Sequence, residues 1–272
     1  FVGAQTTAFL MSASFFGLFL YLTLYLQNVL GYSALQAGVR LLPISGCSFL
    51  VAPLAGRLSE SVPVRFLLGG GLGLIGASLL LMEGLSPGDD WTALLAGFVV
   101  GGLGIGLTNP PLASTAIGVV PRDRSGMASG VNNTFRQVGI ATGVAALGAI
   151  FQARIHSHLA AALAGTPAEQ HVDRLTRAAA SGSVGRVLGS VPRQARGQLA
   201  AAARAAFVSG LNRLFWISAA LAFLGALLAL ALVRSSDFEQ HEDAEDETGP
   251  PERESAPARR QGVRPASRGR SG

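Results

Sequence analysis

The chain carries no charged side chain from Phe1 to Val39, and this stretch constrains the fold more than any other feature. Five further apolar stretches of spanning length follow it. A bilayer core is about 30 Å thick, so a helix of about 20 apolar residues crosses it. Lipid cannot hydrogen-bond to the backbone, so each stretch must form a helix that satisfies its own N–H and C=O groups. The sequence therefore predicts an all-α, polytopic membrane protein with six transmembrane helices.

The six predicted spans and their connections divide the chain into a bundle and a tail. The bundle covers residues 1–233, and residues 154–206 form a long, polar, alanine-rich connection that includes helix. Residues 234–272 join an acidic run to an Arg-rich end without apolar periodicity, which predicts a disordered charged tail. The spans are expected at about Thr7 to Val29, Leu35 to Gly56, Phe66 to Met82, Trp91 to Val120, within Gly126 to Gln152, and Phe207 to Val233.

Composition and side-chain spacing exclude several kinds of function. The net charge of +5 comes from Arg residues in connections and in the tail, not from a basic face interleaved with aromatics, so no nucleic-acid partner is predicted. His156, His158 and His171 are too loosely placed for a metal site, and Cys47 is the single cysteine. No cofactor is predicted. No Ser/His/Asp or metal-ligand set stands at a span end, so the chain is not expected to be an enzyme.

Arginines in the short connections predict the orientation in the membrane. Arg57 and Arg65 lie between the second and third spans, and Arg122 and Arg124 between the fourth and fifth. Arg-bearing short loops face the cytoplasm, so both chain ends are predicted to be cytoplasmic. The connection 154–206 then lies outside the cell, because long loops translocate with little regard to charge.

Three stretches resemble the C-terminal half of Major Facilitator Superfamily transporters, specifically the fourteen-span drug:proton antiporters. Six helices make half of a common transporter architecture, and the resemblance implies eight further spans outside this chain. The stretches are Leu18 to Ser33 with Gln36 to Gly38; Pro53 to Glu60, which is similar to the superfamily's cytoplasmic loop motif; and Asn109-Pro110-Pro111 followed by Ser125 to Gly139. The chain begins without an initiator Met or a basic n-region, so its first apolar run is not a signal peptide, and we expect a fragment without its N-terminal half.

The resemblance implies proton-coupled efflux of amphipathic drugs or antibiotics across the plasma membrane. The implied partners are a small amphipathic substrate, protons, the lipid bilayer and the missing half. No acidic residue lies inside a predicted span, so a proton-carrying carboxylate is not provided here. Polar side chains within the spans are the expected cavity wall or gate: Tyr21, Tyr25, Gln27, Asn132, Asn133, Arg136 and Gln137.

Arg136 is the strongest single candidate among them. An arginine at mid-helix costs roughly 2.5–3.5 kcal/mol on insertion scales, so it is expected to face a water-filled cavity or a partner. It lies about 18 Å beyond Arg124 in a helix, so it can instead extend to the cytoplasmic surface. Both interpretations stay open.

Two backbone features carry further hypotheses. Gly56 offers a tight turn and Arg57, Glu60 and Arg65 offer alternating charges, which form either a gating latch or a topology signal. Pro110 and Pro111 either end the fourth helix, the favoured interpretation, or form a hinge. Glycine pairs four residues apart predict close helix packing within the fourth span: Gly97/Gly101 and Gly102/Gly106.

Two alternatives to broad drug export remain. One is export of a dedicated metabolite or lipid. The other is a membrane scaffold or receptor that transports nothing and binds partners through its long external connection and charged tail.

Overall fold

The structure, a computed structural model, contains six helices long and apolar enough to cross a bilayer within the residues that it describes, 2–118, 120–121, 124–166, 169–184, 187 and 193–233. The predicted tail 234–272 and Arg122 lie outside these residues. The long helices are α1 (Val2–Val29), α2 (Ala34–Leu58), α3 (Val64–Leu81), α4 (Leu95–Gly118), α5 (Ser125–Leu163) and α7 (Arg193–Leu232); the short α6 is Val172–Ala180. A 3₁₀ turn, Trp91–Leu94, leads into α4.

The last two long helices extend well beyond the predicted spans. Helix α5 continues to Leu163 and α7 begins at Arg193, so both ends of the predicted connection 154–206 are helical. These segments are rich in alanine, the strongest helix former, although they lack a membrane pattern. Between them α6 buries Val172 and Leu175 in the same apolar cluster as Leu159 of α5 and Leu199 of α7.

Glycines set the helix packing. A side chain at Gly143 of α5 would meet the backbone of Ala13 on α1, and a Cβ at Gly139 would lie 2.5 Å from the carbonyl oxygen of Phe9. The glycines of α4 divide between two neighbours. Gly101 faces Ser78 on α3, whereas Gly102 lies against the backbone of Ile44 on α2. The predicted glycine pairs are therefore packing positions, as small residues at four-residue spacing allow.

Helix α4 runs through both of its prolines. Pro110 and Pro111 lie inside the helix, which continues to Gly118, so the prediction that they end it is wrong. A proline removes one backbone donor, but buried transmembrane helices tolerate this where nearby groups bond the freed carbonyls. The carbonyls that lose a partner are those of Gly106 and Leu107, four residues before each proline.

Charged residues mark both bilayer boundaries on single helices. Arg40 and Arg57 of α2 are separated by about 26 Å of helix, and Arg136 and Arg154 of α5 by about 27 Å, with no charge between them. Both lengths match a hydrocarbon core of about 30 Å. We call the end of the bundle with residues 30–33, 82–90 and α6 the link end, and the opposite end the Arg57 end.

Candidate functional site

A cavity of about 470 Å³ opens between α1, α2 and α4. Apolar side chains form most of its wall, four of them phenylalanines of α1 and α2, and two serines and one asparagine supply polar groups. The lining residues are Phe15, Phe16, Phe19, Ile44, Ser45, Ser48, Phe49, Ala52, Ile105 and Asn109. We call this space the α1/α2/α4 cavity.

The cavity lies near the middle of the bundle. Its α2 residues, 44–52, stand midway between Arg40 and Arg57, which mark the two bilayer boundaries on that helix. Its α1 residues, 15–19, are likewise central in Val2–Val29. Transporters of this general architecture bind their substrates near the bilayer midplane.

The chemistry of the wall suits an apolar molecule with a polar or cationic group. Phe15 and Phe16 meet edge to face with ring centroids 5.9 Å apart. Aromatic faces attract cations through the ring quadrupole. The Asn109 side-chain oxygen is buried and has no hydrogen-bond partner among the described residues. A donor on a bound molecule would satisfy that oxygen.

The backbone of α1 is irregular beside the cavity. Ser12–Phe16 forms a π-helical turn between two α-helical segments of α1, and Tyr25–Val29 forms a second such turn at the link end of the span. Such turns are uncommon and often occur at functional sites. The first turn includes Phe15 and Phe16, two rings of the cavity wall.

The tyrosines predicted for the cavity wall lie on another side of α1. The Tyr21 hydroxyl donates to the Val144 carbonyl oxygen of α5 at 2.8 Å, and its ring packs on Phe151 at 5.0 Å. Tyr25 is fully buried and stacks on Phe207 of α7 at 6.4 Å. Both are core residues in this structure and do not line the α1/α2/α4 cavity. Gln27 is half-buried at the link end of the same helix.

The predicted polar group on α5 stands near the Arg57 end. Asn132 is buried, and its side-chain oxygen has no partner among the described residues. Asn133 and Gln137 are exposed, and Arg136 is half-buried. Arg136 stands at the boundary of the uncharged part of α5, not at its middle. This position agrees with the interpretation in which the guanidinium extends to the surface.

The predicted latch has no ion pair in this structure. Arg57 and Glu60 are exposed, and no salt bridge joins Glu60 to Arg57 or to Arg65 within the described residues. Arg65 instead stacks over the Phe66 ring at 4.8 Å. Gly56 lies inside α2, so it does not make the turn that the sequence suggested; the helix ends at Leu58. The gating role stays a prediction.

A polar cluster that the sequence did not reveal ties two connections together at the link end. The Tyr32 hydroxyl donates to Asp90 Oδ1 at 2.7 Å, and the Arg40 guanidinium lies 3.6 Å from the centre of the Tyr32 ring. The bond to Asp90 raises the pKa of Tyr32, and the same bond, with that from the Trp91 N–H, lowers the pKa of Asp90. We call Tyr32, Arg40, Asp90 and Trp91 the link-end clasp.

The sequence signals for the cavity residues are weak. Asn109 stands next to Pro110 in a stretch already noted for its resemblance, and its amide is one of the polar groups that line the cavity. The phenylalanines carry no such signal, because an apolar residue in a span can face lipid, core or cavity alike.

Six helices long and apolar enough to cross a bilayer, with a cavity between three of them near the middle of the bundle, characterise a multi-pass membrane protein. The family model of the Major Facilitator Superfamily matches residues 4–144, about half of the chain, and the chain belongs to this superfamily. It is 32% identical over 161 residues to the multidrug resistance protein Stp of Mycobacterium tuberculosis, covering 58% of this chain and 30% of Stp.

Two other relatives match more of the chain. The tetracenomycin C resistance and export protein of Streptomyces glaucescens is 31% identical over 232 residues, covering 81% of this chain and 42% of the relative. The multidrug efflux pump LfrA of Mycolicibacterium smegmatis is 31% identical over 225 residues, covering 82% of this chain and 42% of LfrA. The matches therefore span less than half the length of these relatives.

Proposed function

We propose that this bundle is one half of a secondary transporter that exports amphipathic drugs or antibiotics across the plasma membrane in exchange for protons. The observation that carries the proposal is the α1/α2/α4 cavity, in which aromatic rings and the unpartnered Asn109 oxygen meet near the midplane. The multidrug and antibiotic export relatives support the same class of substrate. The proposal involves transport and no catalysis.

The exposed face in the first part of α5 supports the existence of a companion half. A side chain added at Gly126 or Gly130 of α5 would meet nothing within 4 Å. On α5 these glycines share the exposed surface with Asn133 and other polar or small residues. Small and polar residues favour helix contact over lipid contact. We infer that a second six-helix bundle packs here and rocks against this one during transport.

Proton exchange is assigned to the companion half. The acidic side chains that the structure describes stand in connections or at bundle ends, as Glu60, Glu83 and Asp90 do. A buried carboxylate is the usual kind of proton carrier inside a membrane. The Arg57 end is proposed to face the cytoplasm, because Arg57 and Arg65 flank a short turn.

Export of one dedicated antibiotic is a second candidate. It is favoured by the tetracenomycin C export protein, which matches 81% of this chain. The two candidates differ in breadth of substrate. Protection of growing cells against several unrelated drugs favours the first candidate, and protection against a single compound favours the second.

The test uses the full-length protein in inverted membrane vesicles under an imposed pH gradient. Uptake of a fluorescent lipophilic cation is compared between wild type, Asn109→Leu and Arg136→Ala. Asn28→Leu is the matched control, since Asn28 is exposed at the link end outside the cavity.

Gradient-driven uptake in wild type and in Asn28→Leu, with at least a tenfold loss in Asn109→Leu, supports the proposal. Arg136→Ala is expected to reduce uptake, and Arg136→Lys to restore it if the residue anchors the bilayer boundary. Absence of gradient-driven uptake of any lipophilic cation by well-expressed wild type contradicts broad cation export.

A further inference from the structure

A second cavity, of about 480 Å³, lies at the link end on the other side of the bundle. It is enclosed by the connection after α3, by α5 and by α7. Leu85 and Pro87 form one wall, and Ser209 and Trp216 of α7 form the opposite one. We call it the link-end cavity. Export through the α1/α2/α4 cavity does not use it.

Positive charge dominates this cavity. Arg154 of α5 and Arg213 of α7 both line it, with Glu83 as the acidic residue of the wall. No ion pair joins Glu83 to either arginine within the described residues. The Arg154 Nε donates to the Ser209 hydroxyl at 3.2 Å, which orients that guanidinium along the wall. The Nδ1 atom of His158 is buried there without a partner in the described structure.

The charged residues of the cavity stand at the bilayer boundary on three helices. Glu83 follows the end of α3, and Arg154 follows the uncharged part of α5. From Arg213, α7 runs without a charge to Leu232, about 28 Å of helix. This level is where phosphate headgroups meet the hydrocarbon core. Trp216, which is 52% exposed, lies one turn below, as interfacial tryptophans do.

An exposed apolar stripe continues from the cavity into the membrane. Phe223 and Leu227 stand seven and eleven residues after Trp216, so the three share one face of α7. Leu227 is 64% exposed. The Phe223 ring also covers Gly76 of α3, which places this stripe beside the α3/α7 contact. A chain of methylene groups fits such a surface.

We propose that the link-end cavity binds the phosphate headgroup of an anionic phospholipid, with its acyl chains along the apolar stripe of α7. Arg154 and Arg213 supply charge and hydrogen-bond donors, which guanidinium groups direct well at phosphate oxygens. The lipid comes from the leaflet at the link end. The bound lipid bridges α3, α5 and α7.

The test measures the association of spin-labelled phosphatidylglycerol and phosphatidylcholine with the full-length protein in bilayers. The wild type is expected to prefer phosphatidylglycerol. Arg213→Gln and Arg154→Gln are each expected to lower that preference about fivefold, since one basic residue near a membrane surface contributes roughly 1 kcal/mol. Arg213→Lys keeps the charge and should keep the preference. Arg174→Gln is the matched control, because Arg174 is exposed on α6 outside the cavity.

Three results overturn the proposal. One is equal preference in wild type and in both glutamine variants. Another is a loss of phosphatidylglycerol preference in Arg174→Gln as large as in the cavity variants, which indicates that diffuse surface charge causes the preference. The third is displacement of the labelled lipid by millimolar glycerol 3-phosphate, which indicates a site for a soluble phosphate ester. Thermal unfolding of each variant is measured in parallel, and a loss of preference in a variant that unfolds at the wild-type temperature supports the proposal.

Discussion

The side-chain amide of Asn212 bonds both backbone groups of Leu85. Its Nδ2 donates to the Leu85 carbonyl oxygen at 2.9 Å, and its Oδ1 accepts from the Leu85 N–H at 3.2 Å. These bonds attach Leu85, in the connection that follows α3, to helix α7. Asn212→Leu leaves two groups of a buried residue unpaired and should destabilise the protein by about 1–3 kcal/mol. Unfolding in denaturing detergent measures this, and Gln152→Leu, at an exposed position of α5, should match wild type.

Close approach of α1 and α5 depends on Gly143. A Cβ at this position would overlap the Ala13 backbone, whereas one at Gly70 of α3 meets nothing within 4 Å. Gly143→Ala should therefore destabilise the bundle by about 1–3 kcal/mol, the usual effect of overpacking. Gly70→Ala should leave the unfolding temperature unchanged or slightly raised. Equal unfolding temperatures for the two variants contradict the packing.

The two buried tyrosines are expected to respond differently to loss of a hydroxyl. Tyr21→Phe removes the bond to Val144 and should reduce stability by about 0.5–1.5 kcal/mol. Tyr25→Phe removes a buried hydroxyl with no partner in the described residues and should be neutral or stabilising. Thermal unfolding of both variants tests the difference. A larger loss in Tyr25→Phe argues against the assigned contacts.

The link-end clasp is expected to contribute the same stability over a wide pH range. The lowered pKa of Asp90 contributes stability that is present above its ordinary value of 3.8 and lost as pH falls through the folded pKa. The raised pKa of Tyr32 contributes stability that is present below 10.0 and lost as pH rises through the folded pKa. Stability contributed by the clasp should therefore be constant between about pH 5 and pH 9.

The corresponding titration follows the difference in tyrosinate absorbance between the full-length protein and its Tyr32→Phe variant, which isolates Tyr32. Asp90→Asn should lower the midpoint of Tyr32 towards 10.0, because the hydrogen bond to the Asp90 carboxylate is the main cause of the raised pKa. Asp89→Asn removes a neighbouring carboxylate that bonds the Ser86 N–H instead. It should leave the midpoint nearer to that of the parent protein. An unchanged midpoint in Asp90→Asn contradicts the clasp.

The six spans followed from the sequence because uncharged length is itself the physical requirement for crossing lipid. The ends of the helices were predicted less accurately. Residues 154–163 belong to α5 and residues from Arg193 belong to α7, although both segments are polar. An alanine-rich segment can extend a helix beyond the membrane through helix propensity alone, so no apolar pattern in the sequence indicates where the helix ends.

The cavity was beyond prediction because it depends on rotation of each helix about its axis. Polar aromatic residues were expected to face it, yet the Tyr21 hydroxyl is satisfied by a carbonyl of α5 and needs no cavity. Three phenylalanines of α1 face it instead. The identity of a phenylalanine does not indicate whether it contacts lipid or substrate, because this depends on the positions of the neighbouring helices.

Substrate protection of a cysteine in the α1/α2/α4 cavity tests the central claim most directly. In a Cys47→Ala background, Ser48→Cys places a thiol in the cavity, and Ser86→Cys places one on the exposed connection after α3. A transported lipophilic cation is expected to slow maleimide labelling at position 48 in proportion to its occupancy, and to leave labelling at position 86 unaffected. Unchanged labelling at position 48 at saturating cation, in a protein that still transports it, would show that the substrate binds elsewhere.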